Sequence, residues 1–161
     1  MGCDIHGFIE FKLDYGWQNF AGEFYLPRDY EFFSKIAGVR GECESFFEPR
    51  GLPEDVNYVI SSENNIYIYN SDSDDSCTKE MAERWVASGI SEYTNEGKSV
   101  TNPDHHSHSW LNKDELEEAI DYVNTKCGLG SVSVQYEMIF EVLKKFEEKG
   151  CKVRFVFWFD N

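Results

Sequence analysis

The first residues of the chain alternate between polar and apolar side chains. Over positions 3–13, Asp4, His6 and Glu10 fall on one side with Phe8, and the other side is apolar. A period of two is typical of a half-buried β-strand. The pattern therefore predicts a strand with an apolar face and a second face that carries an acid, an imidazole and another acid.

Later periodicities and capping residues predict a mixed order of helices and strands. Helices are expected over 29–37, 78–88, 112–126 and 133–149, and further strands over 17–25, 65–69 and 151–159. Asn112 with Glu115 is predicted to form a capping box for the third of these helices, and Ser133 to cap the fourth. Segments 38–58 and 91–104 are rich in turn residues and are predicted as loops. The order favours one α+β domain over 1–161, with a mainly antiparallel sheet and helices packed on it.

Charge narrows the class of partner. The chain has 15 basic and 30 acidic residues, a net charge of −15. Long nucleic acids and anionic membranes are polyanions, so both are disfavoured as partners. No apolar run approaches the roughly 20 residues of a membrane helix, and the first residues lack the pattern of a secretory signal. We therefore expect a cytoplasmic protein whose phosphorylated partners are small.

The five cysteines and one acidic loop carry weaker signals. The cysteines are too far apart for a paired zinc motif and odd in number, so reduced thiols are expected. The spacing of Asp72, Asp74 and Glu83 is similar to that of the acidic ligands in a calcium loop, but Cys77 stands where that loop requires glycine. We therefore do not expect a calcium site there.

Three segments concentrate residues that carry chemistry. Asp4 and His6 occupy alternate positions of the first strand, roughly 6 to 7 Å apart at their Cα atoms. Residues 104–110 hold three of the four histidines, and His106 and His108 share a side if this segment is extended. Arg40 and Arg50 are flanked by glycine and proline on stiffened loops.

Together these segments favour chemistry on a phosphodiester. Imidazole and carboxylate suit zinc or manganese, which lower the pKa of bound water. The candidate metal ligands are Asp4, His6, His106 and His108. The candidate catalytic residues are His6, His106, His108 and Glu10, the last as a ligand or general base.

The same segments also suit ligand binding. Arginine forks match phosphate oxygens, so Arg40 and Arg50 are candidate phosphate clamps, and Trp110 is a candidate surface for base stacking. Two histidines could instead act as acid and base without a metal, or the site could hold a nucleotide unchanged. Purely structural roles also remain open, with a buried His6, a solvated histidine loop, and arginines that only neutralise nearby acids.

Four motifs resemble those of a family of small bacteriophage and bacterial proteins without a settled activity. They are Met1-Gly-x-Asp4-Ile-His6, Arg28-x-Tyr30-x-x-Phe33 through Ala37-Gly-Val-Arg40, Pro49-Arg-Gly-Leu-Pro-x-Asp55 and His106-Ser-His-Ser-Trp-Leu111. The resemblance spans residues 1 to about 120 and implies that the three segments belong together. By analogy, a phage setting suggests interference with nucleotide-based host defence.

A shorter motif resembles a known metal site. Asp104-x-His106-x-His108-Ser is similar to the first metal motif of polymerase-and-histidinol-phosphatase phosphoesterases. In that family the motif opens the chain on a barrel strand, whereas here it comes late. We therefore do not expect the chain to belong to that phosphoesterase family, and we expect only a similar local use of the motif.

These observations lead to three functional hypotheses. The first is metal-assisted hydrolysis of a small phosphorylated ligand, nucleotide-like and including cyclic nucleotides. The second is a binding protein that sequesters such a nucleotide and so inhibits host immune signalling. The third is an acidic mimic of nucleic acid that binds a basic host protein. A homo-oligomer is compatible with all three.

Overall fold

The computed structural model describes residues 2–42, 44–70, 76–126 and 130–161. Within these ranges the chain forms five α-helices and two four-stranded sheets. In chain order the elements are β1 (Asp4–Leu13), β2 (Gly16–Phe24), α1 (Tyr30–Ala37), α2 (Tyr58–Glu63), β3 (Asn65–Ile68), β4 (Ser76–Cys77), α3 (Lys79–Ala87), β5 (Tyr93–Thr94), β6 (Ser99–Thr101), β7 (His106–Leu111), α4 (Lys113–Lys126), α5 (Val134–Glu148) and β8 (Val153–Asp160). The predicted α+β class is confirmed, and strand pairing is mostly antiparallel.

Contacts along the chain divide it into two compact units. Unit 1 comprises Met1–Asn57 and Ser107–Asn161, and unit 2 comprises Tyr58–His106. The single domain predicted over 1–161 stays a prediction.

The sheet of unit 1 has the strand order β2-β1-β8-β7. Strands β1 and β8 are antiparallel, and Asp4 lies opposite Asp160, His6 opposite Trp158 and Glu10 opposite Arg154. Directly opposed residues place their side chains on the same face. The polar face predicted for β1 therefore continues across β8.

The other face of this sheet forms the core of unit 1. Phe155, Phe157 and Phe159 alternate along β8 and are fully buried. They cluster with apolar side chains of α1, α4 and α5, including Phe32, Phe33, Leu116, Ile120, Tyr136, Ile139 and Leu143. Burying one fully enclosed apolar side chain contributes about 1.5–3 kcal/mol, so this layer fixes the strands that carry the polar face.

The helix boundaries follow their capping residues with one exception. Asp29 caps α1 by accepting from Phe32 N at 3.1 Å. Asn112 and Glu115 form the predicted capping box of α4, with reciprocal bonds of 2.9 and 3.0 Å. Ser133 occupies the predicted N-cap position of α5, although its hydroxyl makes no capping hydrogen bond.

Unit 2 contains a small sheet of strand order β4-β3-β6-β5. Its buried cluster consists of Cys77, Ala82 and Val100, with Ile66, Ile68, Met81, Trp85 and Val86 packed against it. The prediction of a loop over 91–104 was wrong in part, because β5 and β6 lie there. These strands have two and three residues, too few for a periodic signal.

The remaining predictions on cysteines, calcium and membranes have separate outcomes. Cys3, Cys77 and Cys151 are free thiols, as expected, whereas Cys43 and Cys127 lie outside the described residues. Asp72 and Asp74 of the calcium-like loop also lie outside them. In the part of the chain that the structure describes, no helix has the length and apolarity to cross a membrane.

Candidate functional site

The first residues of β1 carry an arginine–carboxylate pair. Arg28, in the connection from β2 to α1, donates from Nε to Asp4 Oδ1 at 2.6 Å and from Nη2 to Oδ2 at 2.8 Å. The bond from Arg28 lowers the pKa of the Asp4 carboxyl below its usual value. Asp4 is therefore held as an anion by a bidentate partner, not presented as an open metal ligand.

Gly2 leaves the space that the Arg28 guanidinium occupies in this arrangement. A Cβ built on Gly2 would overlap the Arg28 guanidinium, with Cζ and both Nη atoms too close. A side chain at position 2 would therefore push Arg28 away from Asp4. The Met1-Gly-x-Asp4 motif thus acquires a physical explanation.

His6 is bonded to carboxylates through both ring nitrogens. Its Nδ1 lies 2.7 Å from Glu23 Oε1 on β2, and its Nε2 lies 3.0 Å from Asp160 Oδ2 on β8. The bond to Glu23 outweighs partial burial and, with that to Asp160, raises the pKa of His6 to about 9. At neutral pH the ring is an imidazolium that donates both of its protons.

This protonation state bears on the predicted roles of His6. A metal ligand must present a deprotonated ring nitrogen, and a general base must have a free lone pair. In the arrangement described here His6 offers neither. Both of its N–H groups are taken up by carboxylates, so what it contributes to the site is a positive charge.

Arg40 is positioned by the end of α1. Gly38 ends the helix in the left-handed conformation, Arg40 itself has a φ of 63°, and Gly41 lies so close to α1 that a Cβ there would overlap Ser34. The Arg40 Nη2 donates to the Asn161 side-chain carbonyl at 2.6 Å. The guanidinium also approaches the thiol of Cys3, whose pKa is raised by burial.

Arg40 differs from the other arginines of unit 1 in its partners. Within the described ranges, Arg28, Arg50 and Arg154 each pair with a carboxylate, whereas no carboxylate lies within 4.0 Å of the Arg40 guanidinium nitrogens. The side chain is exposed. Arg40 therefore presents a positive charge whose partners among the described residues are neutral groups.

We call this group the strand-end cluster, since its members lie where β1 begins and β8 ends or contact that end. The cluster comprises Asp4, His6, Glu23, Arg28, Arg40 and Asp160. It contains three carboxylates and three cationic groups. In a chain of net charge −15, this is a locally neutral surface where a small anion meets less repulsion than the overall charge implies.

The structure places His6 and His108 on either side of one tryptophan. Trp158 on β8 lies 5.8 Å from the His6 ring and 5.7 Å from the His108 ring, measured between centroids. Phe8 stacks on the same tryptophan at 5.0 Å. The first strand and the histidine run therefore meet on one face of the sheet, with a buried indole between their rings.

The other histidines of the run belong to unit 2. His105 lies in unit 2, where its Nδ1 is 2.9 Å from Asn64 Oδ1, and His106 ends the same unit. Ser107 has a φ of 52°, so the backbone is not extended at that residue. The condition under which His106 and His108 were expected to share a side is therefore not met.

Glu10 takes part in a buried ion pair. It is fully buried and accepts from Arg154 Nε at 2.6 Å and from Asn57 N. Arg154 also bonds Asp55 at 3.0 Å and lies 3.8 Å from the Trp17 ring centroid. Glu10 is therefore engaged in linking β1, β8 and the loop before unit 2, and not placed as an exposed base.

Arg50 and Trp110 are joined to each other and to α4. The Arg50 guanidinium binds both carboxylate oxygens of Glu115, donates to Trp110 O at 3.2 Å and lies 4.8 Å from the Trp110 ring. The backbone of the same loop is bonded to β7 through Gly51 N and His108 O at 2.8 Å. These contacts fix the loop on the sheet. They also occupy the Arg50 guanidinium, which was predicted to clamp a phosphate.

Sequence reasoning did not select four residues that shape this site. Asp160 and Trp158 continue the alternating face of β8 that contains Arg154, so that alternation, combined with the β1–β8 pairing, would have pointed to them. Arg28 belongs to one of the four motifs described above but was not predicted as a site residue. Glu23 left no signal, because an irregularity in β2 shifts its register between Gly7 and Ile9.

Comparison with family models, with curated proteins and with solved structures finds no match to this chain.

Proposed function

We propose that the protein binds a small phosphorylated, nucleotide-like ligand at the strand-end cluster. The observation that carries the proposal is Arg40, an exposed guanidinium on a conformationally fixed loop with neutral partners only among the described residues. A phosphate gives such a guanidinium a charged, bidentate partner. His6, charged at neutral pH, supports the same ligand class from the adjacent strand.

Binding without turnover agrees with this geometry better than metal-assisted hydrolysis does. Asp4 is bonded to Arg28, and His6 has both ring nitrogens bonded to carboxylates. A zinc or manganese ion would have to displace these partners and remove a proton from His6. We therefore favour sequestration of the ligand, and a role against nucleotide-based host defence stays a prediction.

The test compares two arginine variants by isothermal titration calorimetry against a panel of mononucleotides and cyclic dinucleotides. Loss of a charge-assisted hydrogen bond costs about 1.5–3 kcal/mol, so Arg40→Ala should weaken binding by roughly 10- to 100-fold. Arg84→Ala is the matched control, because Arg84 is an exposed arginine on α3. It removes the same charge and should change affinity less than about threefold.

The fate of the ligand separates the two mechanisms. After saturation, the protein is denatured and the nucleotide is analysed by chromatography. Unchanged ligand in a stoichiometric amount supports sequestration, whereas altered ligand together with a stoichiometric transition metal in elemental analysis supports hydrolysis. Equal losses of affinity in the two arginine variants, or no binding of any nucleotide by the wild type, would refute the proposal.

A further inference from the structure

Unit 2 exposes three tyrosines that lie close together. Tyr58, Tyr67 and Tyr69 have exposed fractions of 68%, 36% and 60%. The rings of Tyr67 and Tyr69 stack with centroids 6.2 Å apart, and Tyr58 lies close enough to Tyr67 to raise the pKa of its hydroxyl. We call these residues the tyrosine patch.

The secondary structure explains why these rings face outward. Tyr67 and Tyr69 are two positions apart along and just after β3, so they share a side. Ile66 and Ile68 take the opposite side and pack into the buried cluster of unit 2 with Cys77 and Val100. The burial of the isoleucines therefore fixes the tyrosines on the outer side, where their contact supplies no core.

The electrostatics of the patch favour a cation. The faces of aromatic rings carry negative potential and attract guanidinium and ammonium groups. The neighbouring Tyr58 contributes most to the raised pKa of the Tyr67 hydroxyl, and the negative charge of Glu63 adds to it. Residues 58–106 contain nine acidic and three basic residues, and the whole chain has a net charge of −15.

From this geometry we infer that the tyrosine patch is a docking surface for an arginine- or lysine-rich segment of another protein. The basic side chains lie against the faces of Tyr58, Tyr67 and Tyr69, and the acidic surroundings attract the segment from a distance. This surface lies in unit 2, whereas the strand-end cluster lies in unit 1, and the inference does not depend on the proposed function.

The test measures fluorescence anisotropy of a labelled ten-residue Arg-Gly repeat peptide at 150 mM salt. Tyr58→Leu/Tyr69→Leu removes two rings without changing the net charge, so it separates ring contact from general attraction. Because each exposed cation–π contact contributes to the affinity, the loss of one ring should weaken binding roughly 2- to 5-fold, and the loss of both rings about 5- to 30-fold. Tyr58→Phe/Tyr69→Phe keeps the rings and should bind within about twofold of the wild type.

A matched control tests whether the position of the rings matters. Tyr15, which is 78% exposed in the β1–β2 turn of unit 1, is replaced in Tyr15→Leu, and binding should not change. The inference is overturned if the double leucine variant binds the Arg-Gly peptide like the wild type while thermal unfolding shows it folded. It is also overturned if Tyr15→Leu is equally impaired, or if a Glu-Gly peptide or an uncharged oligosaccharide binds as tightly as the Arg-Gly peptide.

Discussion

The imidazolium of His6 should make the stability of the protein depend on pH above neutrality. Its ring joins three strands, because His6 lies on β1, Glu23 on β2 and Asp160 on β8. The pKa of His6 is about 9 in the folded protein and 6.5 in its ordinary state. A folded pKa above the unfolded value means that the folded state binds the proton more tightly.

The sign and the size of the effect follow from these two values. Below about pH 6.5 both states are protonated and the full stabilisation is present, whereas it is lost as pH rises towards 9. A shift of this size corresponds to roughly 3 kcal/mol at about 1.4 kcal/mol per pKa unit. The Glu23 side chain is 43% exposed, and water screening there reduces the expected contribution to about 1–2 kcal/mol.

The assay is urea unfolding of the wild type and of His6→Gln at intervals from pH 6 to pH 9.5. Glutamine keeps hydrogen-bonding capacity and removes the titratable charge. The difference in unfolding free energy should be largest near pH 6 and shrink by about 1–2 kcal/mol towards pH 9.5. The His6 ring protons followed by NMR should titrate near pH 9, and Glu23→Gln should lower that value.

Two results would refute the reasoning. One is a His6 resonance that titrates near pH 6.5, which would mean that the carboxylates do not hold the ring. The other is a free-energy difference between wild type and His6→Gln that is constant over the whole pH range, which would show a packing effect without proton linkage.

Three further substitutions test the scaffold by urea unfolding at pH 7. Gly38→Ala should cost about 1 kcal/mol, because Gly38 has a φ of 66° while Ser45 Cβ at 3.6 Å leaves room for the methyl group; unchanged stability would contradict the left-handed cap. Asn112→Ala removes one half of the α4 capping box and should cost about 1 kcal/mol, and a loss below about 0.3 kcal/mol would argue against it. Glu10→Gln leaves the buried Arg154 without its charged partner and should cost about 3–5 kcal/mol, whereas Glu118→Gln on the exposed side of α4 should be neutral, so similar losses in both would contradict the ion pair.

The strands and helices with a clear period were predictable from local sequence. The alternation of β8 places Phe155, Phe157 and Phe159 on one face and Arg154 and Trp158 on the other, and the structure shows that division. The capping box of α4 was also predictable, because Asn112 and Glu115 are three residues apart and need no distant partner. Such features depend on contacts within a few residues.

The short elements of unit 2 were not predictable in this way. Strands β5 and β6 owe their existence to pairing with each other and with β3. Two or three residues do not contain a measurable period, so only the partner strand decides whether they are extended. Local sequence in 91–104 showed turn residues and therefore favoured a loop.

The candidate site was predictable in its location but not in its chemistry. The sequence indicated Asp4, His6 and Arg40 as candidate site residues, and all three belong to the strand-end cluster in the structure. The sequence alone could not show that Arg28 binds Asp4, or that Glu23 and Asp160 bind His6. These partners are 17 to 154 residues away along the chain.

The α+β class, the two faces of β1 and β8, and the net negative charge could be read from the sequence alone. Which charges remain available depends on the tertiary structure. The pairing of β1 with β8 and the contacts of the loop connections set each cation against a particular carboxylate or, for Arg40, against a neutral amide. The reason is physical: local periodicity follows from backbone geometry, whereas the protonation and charge of a side chain depend on the groups that folding brings within hydrogen-bond distance.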